Sequence, residues 1–178
     1  MAQEGQTIHN PRTGQDMTFV KLTGDELRIA SVNPPGDLLE PVHIHPLQES
    51  GAEVFSGRLV FEVDGVEHRL GPGQSITIPA GTPHRFRAEG DEAAHSEQYF
   101  RPALDIASFF ETLFALAQRD ELDAKGMPGL LQLAVMVPEF SDEIRTVSPP
   151  WPVTKVATGL LRPLARARGK RARLSAVT

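Results

Sequence analysis

The sequence predicts a mainly antiparallel β-domain, a sandwich or small barrel, followed by a helical extension. From residue 41 to about residue 101, apolar and polar side chains alternate in short runs, which is the period of strands with one buried face. Turn-forming residues separate these runs, and no helical period lies between them. After Pro102 the apolar residues recur at helical spacing instead. We therefore expect a β-domain over residues 1–102 and a helical extension over residues 103–178.

The strands of the β-domain can be assigned in chain order. TFVKL (18–22) and ELRIAS (26–31) are two short strands that a tight turn can pair. Asp64-Gly65 is a two-residue hairpin signal between two alternating runs. The further predicted strands are PVHIH (41–45), AEVFSG (52–57), RLVFEV (58–63), VEHRL (66–70), QSITIP (74–79), HRFRA (84–88) and HSEQYF (95–100).

The extension reads as helices with large apolar faces. Within residues 103–122 the apolar side chains fall on one broad helical face, and Pro128 is placed to open a second helix through LLQLAVMV. A basic amphipathic segment follows from Val156 to about Arg168. These faces need a partner, either the outer sheet of the barrel or a second subunit, and we expect a homodimer.

Composition and charge exclude several classes of function. The absence of cysteine excludes disulfides, thiolate metal ligands and a cysteine nucleophile. Residues 1–150 hold 23 acidic and 11 basic side chains, a net charge of −12, whereas residues 151–178 carry +7. The acidic body argues against a nucleic-acid partner. Without a run of 18 apolar residues or an apolar leader, we expect a cytoplasmic protein with no membrane span.

Three histidines form the candidate chemical site. His43 and His45 lie two residues apart, so on a strand both side chains point to the same face. His84 follows in GQSITIPAGTPHRFRA (73–88), and strand pairing can bring it beside the other two. Imidazole is a good ligand for zinc, iron, copper and nickel. A metal ion bound by such a set keeps coordination positions open for water or substrate, as the ions of catalytic sites do.

The two histidine-bearing stretches resemble the signature motifs of the cupin superfamily. The first motif reads roughly HxH, three or four residues, Glu, six residues, Gly, and it matches at His43, His45 and Gly57. The second reads GxxxxxPxGxxH with an Asn four residues later; it matches over 73–84, with Ala88 in place of the Asn. The resemblance implies a cupin-type antiparallel jelly-roll barrel that binds one divalent metal ion, with iron favoured and zinc, nickel or manganese as alternatives.

The carboxylate of the first motif is displaced by one position. Counting back from Gly57, the usual Glu position falls on Ser50, whereas the nearby carboxylate is Glu49. Neighbouring strand residues face opposite ways, so Glu49 reaches the metal through a bulge, which Gly51 permits, or through the shorter spacing that the family tolerates. The other alternative is a centre of three histidines. We expect Glu49 to be the fourth metal ligand and a catalytic residue.

The resemblance implies a metal-dependent, dioxygenase-like enzyme acting on a small aromatic or other oxygen-rich molecule. A metal-dependent isomerase or cyclase and a non-catalytic ligand-binding cupin are the alternatives, because a fold alone does not fix a function. Small side chains at the motif positions predict a roomy cavity that suits a bulky or aromatic substrate. The residues expected to line it are Ser50, Ala52, Phe61, Phe86, Ala88 and Gln98.

Overall fold

The structure is a computed structural model that describes residues 2–36 and 40–177. Its strands are β1 (Thr7–Asn10), β2 (Gln15–Leu22), β3 (Leu27–Asn33), β4 (His43–Ile44), β5 (Glu49–Ser56), β6 (Leu59–Val63), β7 (Val66–Leu70), β8 (Ser75–Ile78), β9 (His84–Ala88), β10 (Ala94–Arg101) and β11 (Arg145–Thr146). Its helices are α1 (Ile106–Gln118), α2 (Leu130–Glu139) and α3 (Trp151–Ala167).

The strands form two antiparallel sheets. One has the order β1-β2-β3-β10-β5-β8 and the other the order β11-β4-β9-β6-β7. Strands that are distant in sequence, such as β3 and β10, are neighbours in the six-stranded sheet, as is typical of a jelly roll. The predicted jelly-roll fold with C-terminal helices is therefore confirmed.

The Asp64-Gly65 hairpin forms as its sequence predicts. β6 and β7 pair directly up to Val63 and Val66, which leaves two residues in the turn. Asp64 has φ +50° and Gly65 has φ +79°. Two successive residues with positive φ define the type I′ turn, whose twist matches that of the flanking strands.

The extension contributes a strand that the sequence did not predict. β11 pairs antiparallel with β4, with Thr146 opposite His43 and Arg145 opposite Ile44. A strand of two residues carries no recognisable period, so its sequence gives no signal. The extension is thus joined by backbone pairing to the strand that carries His43.

The helices complete the core beside the barrel. Ile106 and Phe114 of α1 pack in one hydrophobic cluster with Phe19, Ile29 and Phe100 of the six-stranded sheet. On β10, Phe100 shares its buried face with Ala94, which packs into the barrel interior. One face of the six-stranded sheet therefore packs against two layers. Part of this face lies against the second sheet, and the other part lies against α1. This places the extension on the inner face of that sheet rather than its outer face.

The other helices pack on each other and on α1. Ala134 and Val135 of α2 lie against Ala165 of α3, while Met136 joins Leu116 of α1 in a further cluster. Across the described ranges, none of the helices combines the length and apolar character needed to cross a bilayer.

Candidate metal centre

His43, His45 and His84 meet in the barrel. His43 on β4 and His84 on β9 are directly paired residues, and His45 follows His43 by two positions. The three ring centroids lie 4.5 to 5.2 Å apart. One possible ligand nitrogen from each ring lies within 4.8 Å of the others, and all three residues are buried. The structure thus brings together the three predicted histidines.

Backbone carbonyls fix the orientation of each imidazole. The contacts are His43 Nδ1 to the carbonyl of Pro41 (3.0 Å), His45 Nδ1 to that of Glu143 (2.6 Å) and His84 Nδ1 to that of Thr82 (2.8 Å). A carbonyl only accepts hydrogen bonds, so each neutral imidazole carries its proton on Nδ1. This leaves the lone pair on Nε2, and proteins orient metal-binding histidines by such contacts.

Burial keeps the imidazoles neutral. Desolvation is the main cause that lowers the pKa of all three, to about 3 for His45 and about 4 for His84. For His45 and His84, mutual repulsion with His43 lowers the pKa further. Neutral imidazole is the form that binds a metal ion, so at neutral pH all three side chains are in the form that could hold a cation.

The extension helps to hold this centre. The carbonyl that accepts from His45 belongs to Glu143, in the segment between α2 and β11. The Glu143 carboxylate in turn accepts a hydrogen bond from the backbone N–H of Asp105 (3.2 Å). Together with the pairing of β11 and β4, these contacts make residues of the extension part of the histidine environment.

Glu49 does not join the histidines. Ser50 and Ala52 point into the protein, whereas the Glu49 side chain is 45% exposed and lies 3.8 Å from Arg101. The pairing of β5 with β8 and β10 continues without a shift from residue 50 to residue 53, so no bulge turns the carboxylate inward. In the described part of the chain, the group with the geometry of a metal site contains the three histidines and not Glu49.

Gly51 has a different role from the expected bulge. A Cβ atom at this position would lie 2.4 Å from the carbonyl oxygen of Ile76 and 2.6 Å from the Tyr99 ring. Only glycine allows such a close approach of the neighbouring strand and the aromatic ring. The glycine therefore serves packing on the outer face of the sheet.

The histidines line a cavity of about 500 Å³. This volume lies within the usual range for small-molecule sites. The barrel wall includes Phe61 and Phe86, whose rings stack with centroids 5.3 Å apart. The predicted lining residues that border the cavity are Ser50, Phe61, Phe86, Ala88 and Gln98. Ala52 lies instead in the hydrophobic cluster of the barrel, packed among Val54 and Leu59.

The extension supplies a second, aromatic part of the wall. Its lining residues include Phe109, Phe110, Leu113, Met136 and Phe140. The sequence pattern predicts only that these residues pack against a partner, because apolar residues at helical spacing look the same whether they face a core or a cavity.

Glu40 is a lining residue that sequence reasoning missed. Its carboxylate accepts a hydrogen bond from the backbone N–H of Phe86 (3.1 Å). Burial raises the pKa of Glu40 to about 7, although this hydrogen bond and the nearby His84 oppose the rise. No motif or period marks the residue, and its position three residues before His43 is the one signal that the sequence offers.

Comparison with known proteins supports the assignment of the fold. Residues 32–96 match the family model described as a cupin domain. The chain is 34% identical over 91 residues to Protein SchB of Streptomyces halstedii, covering 48% of this chain and 64% of that protein. It is also 34% identical over 67 residues to quercetin 2,3-dioxygenase of Bacillus subtilis, covering 38% and 20%. The chain spans less than two thirds of the lengths of these relatives.

A solved structure shares the architecture. KdgF from Halomonas sp. superposes with a TM-score of 0.51 at 21% identity, covering 60% of this chain and 96% of that one. At this identity the likeness concerns the fold alone. The resemblance predicted from the two histidine motifs is confirmed by the family match and by this fold.

Proposed function

We propose that this chain, which carries a cupin domain over residues 32–96, is a metal-dependent enzyme whose ion is held by His43, His45 and His84. The observation that carries the proposal is the set of three buried imidazoles with their Nδ1 protons fixed on backbone carbonyls. This donor set fits a divalent transition metal, because neutral imidazole suits iron, zinc and nickel. We favour iron, with zinc, nickel and manganese as alternatives.

The bound ion would act as a Lewis acid that polarises a substrate oxygen or activates dioxygen. The chain's own residues supply the surroundings of that chemistry. Phe61 and Phe86 offer a stacked aromatic surface to a flat molecule, and Phe100 contacts the ring of His45 with centroids 5.1 Å apart. These aromatic side chains give the substrate an apolar surface that orients it beside the histidines.

These walls favour an aromatic or other oxygen-rich organic substrate and a dioxygenase-like reaction. A flat ring gains from contact with aromatic side chains, and the cavity has room for a molecule of several rings. The similarity to a quercetin 2,3-dioxygenase over 67 residues supports the same choice.

Glu40 favours a second candidate, a metal-dependent isomerase or cyclase. A carboxyl group whose pKa is about 7 can take up or release a proton at neutral pH. Isomerisation and cyclisation need such a group and consume no oxygen. The position of Glu40 on the cavity wall supports this alternative.

The experiment that tests the proposal separates the two reactions. The purified protein is stripped of metal, reloaded with Fe²⁺, Zn²⁺, Ni²⁺ or Mn²⁺, and offered catechols and flavonols with and without oxygen. Oxygen uptake that needs both metal and substrate, and that His84→Ala abolishes, supports the dioxygenase. Anaerobic conversion that Glu40→Gln abolishes supports the isomerase or cyclase. Binding without conversion under any metal contradicts both and leaves a ligand-binding protein.

A further inference from the structure

Two buried polar side chains in the cavity wall lack hydrogen-bond partners. Ser50 is 4% exposed and Gln98 is 6% exposed. Within residues 2–36 and 40–177, neither Ser50 Oγ nor Gln98 Nε2 has a hydrogen-bond partner. Buried polar groups are nearly always paired, so an unpaired one calls for an explanation such as a ligand or an ordered water.

The two residues are neighbours on the same face of the six-stranded sheet. Ser50 on β5 lies directly opposite Phe100 on β10, and Gln98 precedes Phe100 by two positions. Residues two apart on a strand share a face, so Ser50 and Gln98 are diagonal neighbours. Both border the cavity, and so does their neighbour Phe100, whose ring contacts that of His45.

Other unpaired polar groups in the described chain do not share this location. The buried atoms without partners on Ser31, Gln48, Glu143 and Arg162 belong to residues outside the cavity lining. The Gln48 amide nitrogen also donates to two backbone carbonyls, those of Pro102 and Ala103, which gives it a structural role. Among the residues that the structure describes, Ser50 Oγ and Gln98 Nε2 make no such hydrogen bond.

We propose that Ser50 and Gln98 form an oxygen-binding subsite that holds a carbonyl or hydroxyl oxygen of a flat aromatic substrate. The inference rests on the proposed function in that the same cavity is taken as the active site. His43 and His84 belong to the five-stranded sheet and the subsite to the six-stranded one, so the substrate is held between the two.

The chemistry of the subsite narrows the substrate class. A hydroxyl and an amide both donate and accept hydrogen bonds and carry no charge, so they select a neutral oxygen function. The stacked rings of Phe61 and Phe86 form another part of the wall and favour an apolar frame. An aromatic substrate with two oxygens fits both the subsite and the aromatic wall. One oxygen binds the ion, and the other forms hydrogen bonds with Ser50 and Gln98.

The test compares two probes of the same shape. The metal-free, full-length protein is dialysed to equilibrium against 9-fluorenone, which has one ketone oxygen, and against fluorene, which has none. We expect the wild type to bind fluorenone about fivefold to tenfold more tightly, the usual effect of one or two neutral hydrogen bonds. No preference, or no binding of either probe, overturns the subsite without relying on any variant.

Variants of Ser50 and Gln98 test whether these two residues cause the preference for fluorenone over fluorene. In Gln98→Leu and Ser50→Ala the preference for fluorenone should fall, with fluorene affinity retained, and in the double variant it should disappear. Tyr99→Phe is the matched control, because it removes a hydroxyl from the other face of the same strand, where it contacts Thr77 (2.9 Å). An unchanged preference in the double variant, or an equal loss in Tyr99→Phe, overturns the assignment.

Because the probes are measured without metal, the two proposals fail separately. Metal-dependent turnover without any preference for fluorenone would contradict the subsite alone. A preference for fluorenone in a protein that binds no metal would contradict the proposed enzyme and leave the subsite standing.

Discussion

The carboxylate of Glu49 lies 3.8 Å from the guanidinium of Arg101, on the face of β5 that points away from the three histidines. Its neighbour Ser50 occupies the inward position that the spacing of the first motif assigns to a carboxylate ligand. A hydroxyl without a hydrogen-bond partner thus borders the cavity at that position. With a hydroxyl in place of the carboxylate, the group with the geometry of a metal site consists, among the described residues, of the three imidazoles.

Gly51→Ala should destabilise the protein. The added methyl group would lie 2.4 Å from the Ile76 carbonyl oxygen and 2.6 Å from the Tyr99 ring, so the sheet must shift. Overpacking of this kind costs about 1–3 kcal/mol, and we expect the Tm to fall by roughly 3–10 °C. Gly24→Ala is the control, because a Cβ atom there meets nothing within 4 Å. Equal Tm values for the two variants, measured by circular dichroism, would contradict the packing role of Gly51.

Glu26 should contribute stability that acid removes. Hydrogen bonds from Lys21, Arg28 and Arg101 lower the pKa of Glu26 to about 2. A carboxyl group with a lowered pKa in the folded state stabilises it fully above its unfolded pKa near 4.5, and this contribution is lost as the pH falls toward 2. We expect Glu26→Gln to lose about 1–2 kcal/mol at pH 7, with a smaller difference from the wild type at pH 3.

Urea unfolding at a series of pH values measures this difference. Glu53→Gln is the control, because Glu53 is an exposed carboxylate on β5. The account is contradicted if Glu26→Gln unfolds like the wild type at pH 7, or if their difference grows below pH 4.

Val147→Pro should weaken metal binding although Val147 is not one of the residues that line the histidine cavity. The backbone N–H of Val147 donates to the carbonyl of Val42 (3.1 Å), which continues the pairing of β11 beside His43. Proline removes this donor. Loss of support for metal ligands typically weakens affinity about tenfold or more, and we expect about that effect by isothermal titration with Zn²⁺.

Val147→Ala retains the backbone donor and provides the matched control. It should bind Zn²⁺ with wild-type affinity. Equal affinities for the alanine and proline variants would show that β11 does not support the metal centre.

Glu40 should titrate near neutral pH. Burial raises its pKa to about 7, so the group is mostly protonated at pH 6 and mostly ionised at pH 8. Infrared difference spectra of the metal-free protein should therefore show a carboxyl C=O band that disappears with a midpoint close to pH 7. Glu40→Gln should lack this band. A wild-type spectrum without any carboxyl titration above pH 6 would contradict the raised pKa of Glu40.

The parts of the fold that depend on local pattern were predictable from sequence. Period-two alternation and the Asp64-Gly65 signal identify β6 and β7, because both depend on neighbours in the chain. β1 and β11 were not predicted, since each is short and is stabilised by a partner strand or helix that the local pattern does not reveal. The placement of α1 on the inner face likewise depends on tertiary contacts.

The parts of the candidate site that depend on local spacing were also predictable from sequence. The spacing of the histidine motifs gave all three imidazoles, and strand alternation correctly placed Ser50 and Glu49 on opposite faces. The purpose of Gly51 could not be derived, because it depends on Tyr99 and Ile76 in other strands. Glu40 and the aromatic residues of the extension carry no motif, so only the folded chain identifies them as cavity residues.

The most direct test of the three-histidine centre is the metal content of Glu49→Ala and His84→Ala after identical purification and reloading with Fe²⁺ or Zn²⁺. The account predicts that the wild type and Glu49→Ala each hold one ion per chain with similar affinity, and that His84→Ala holds none. Loss of the ion from Glu49→Ala, or a full complement in His84→Ala, would contradict it.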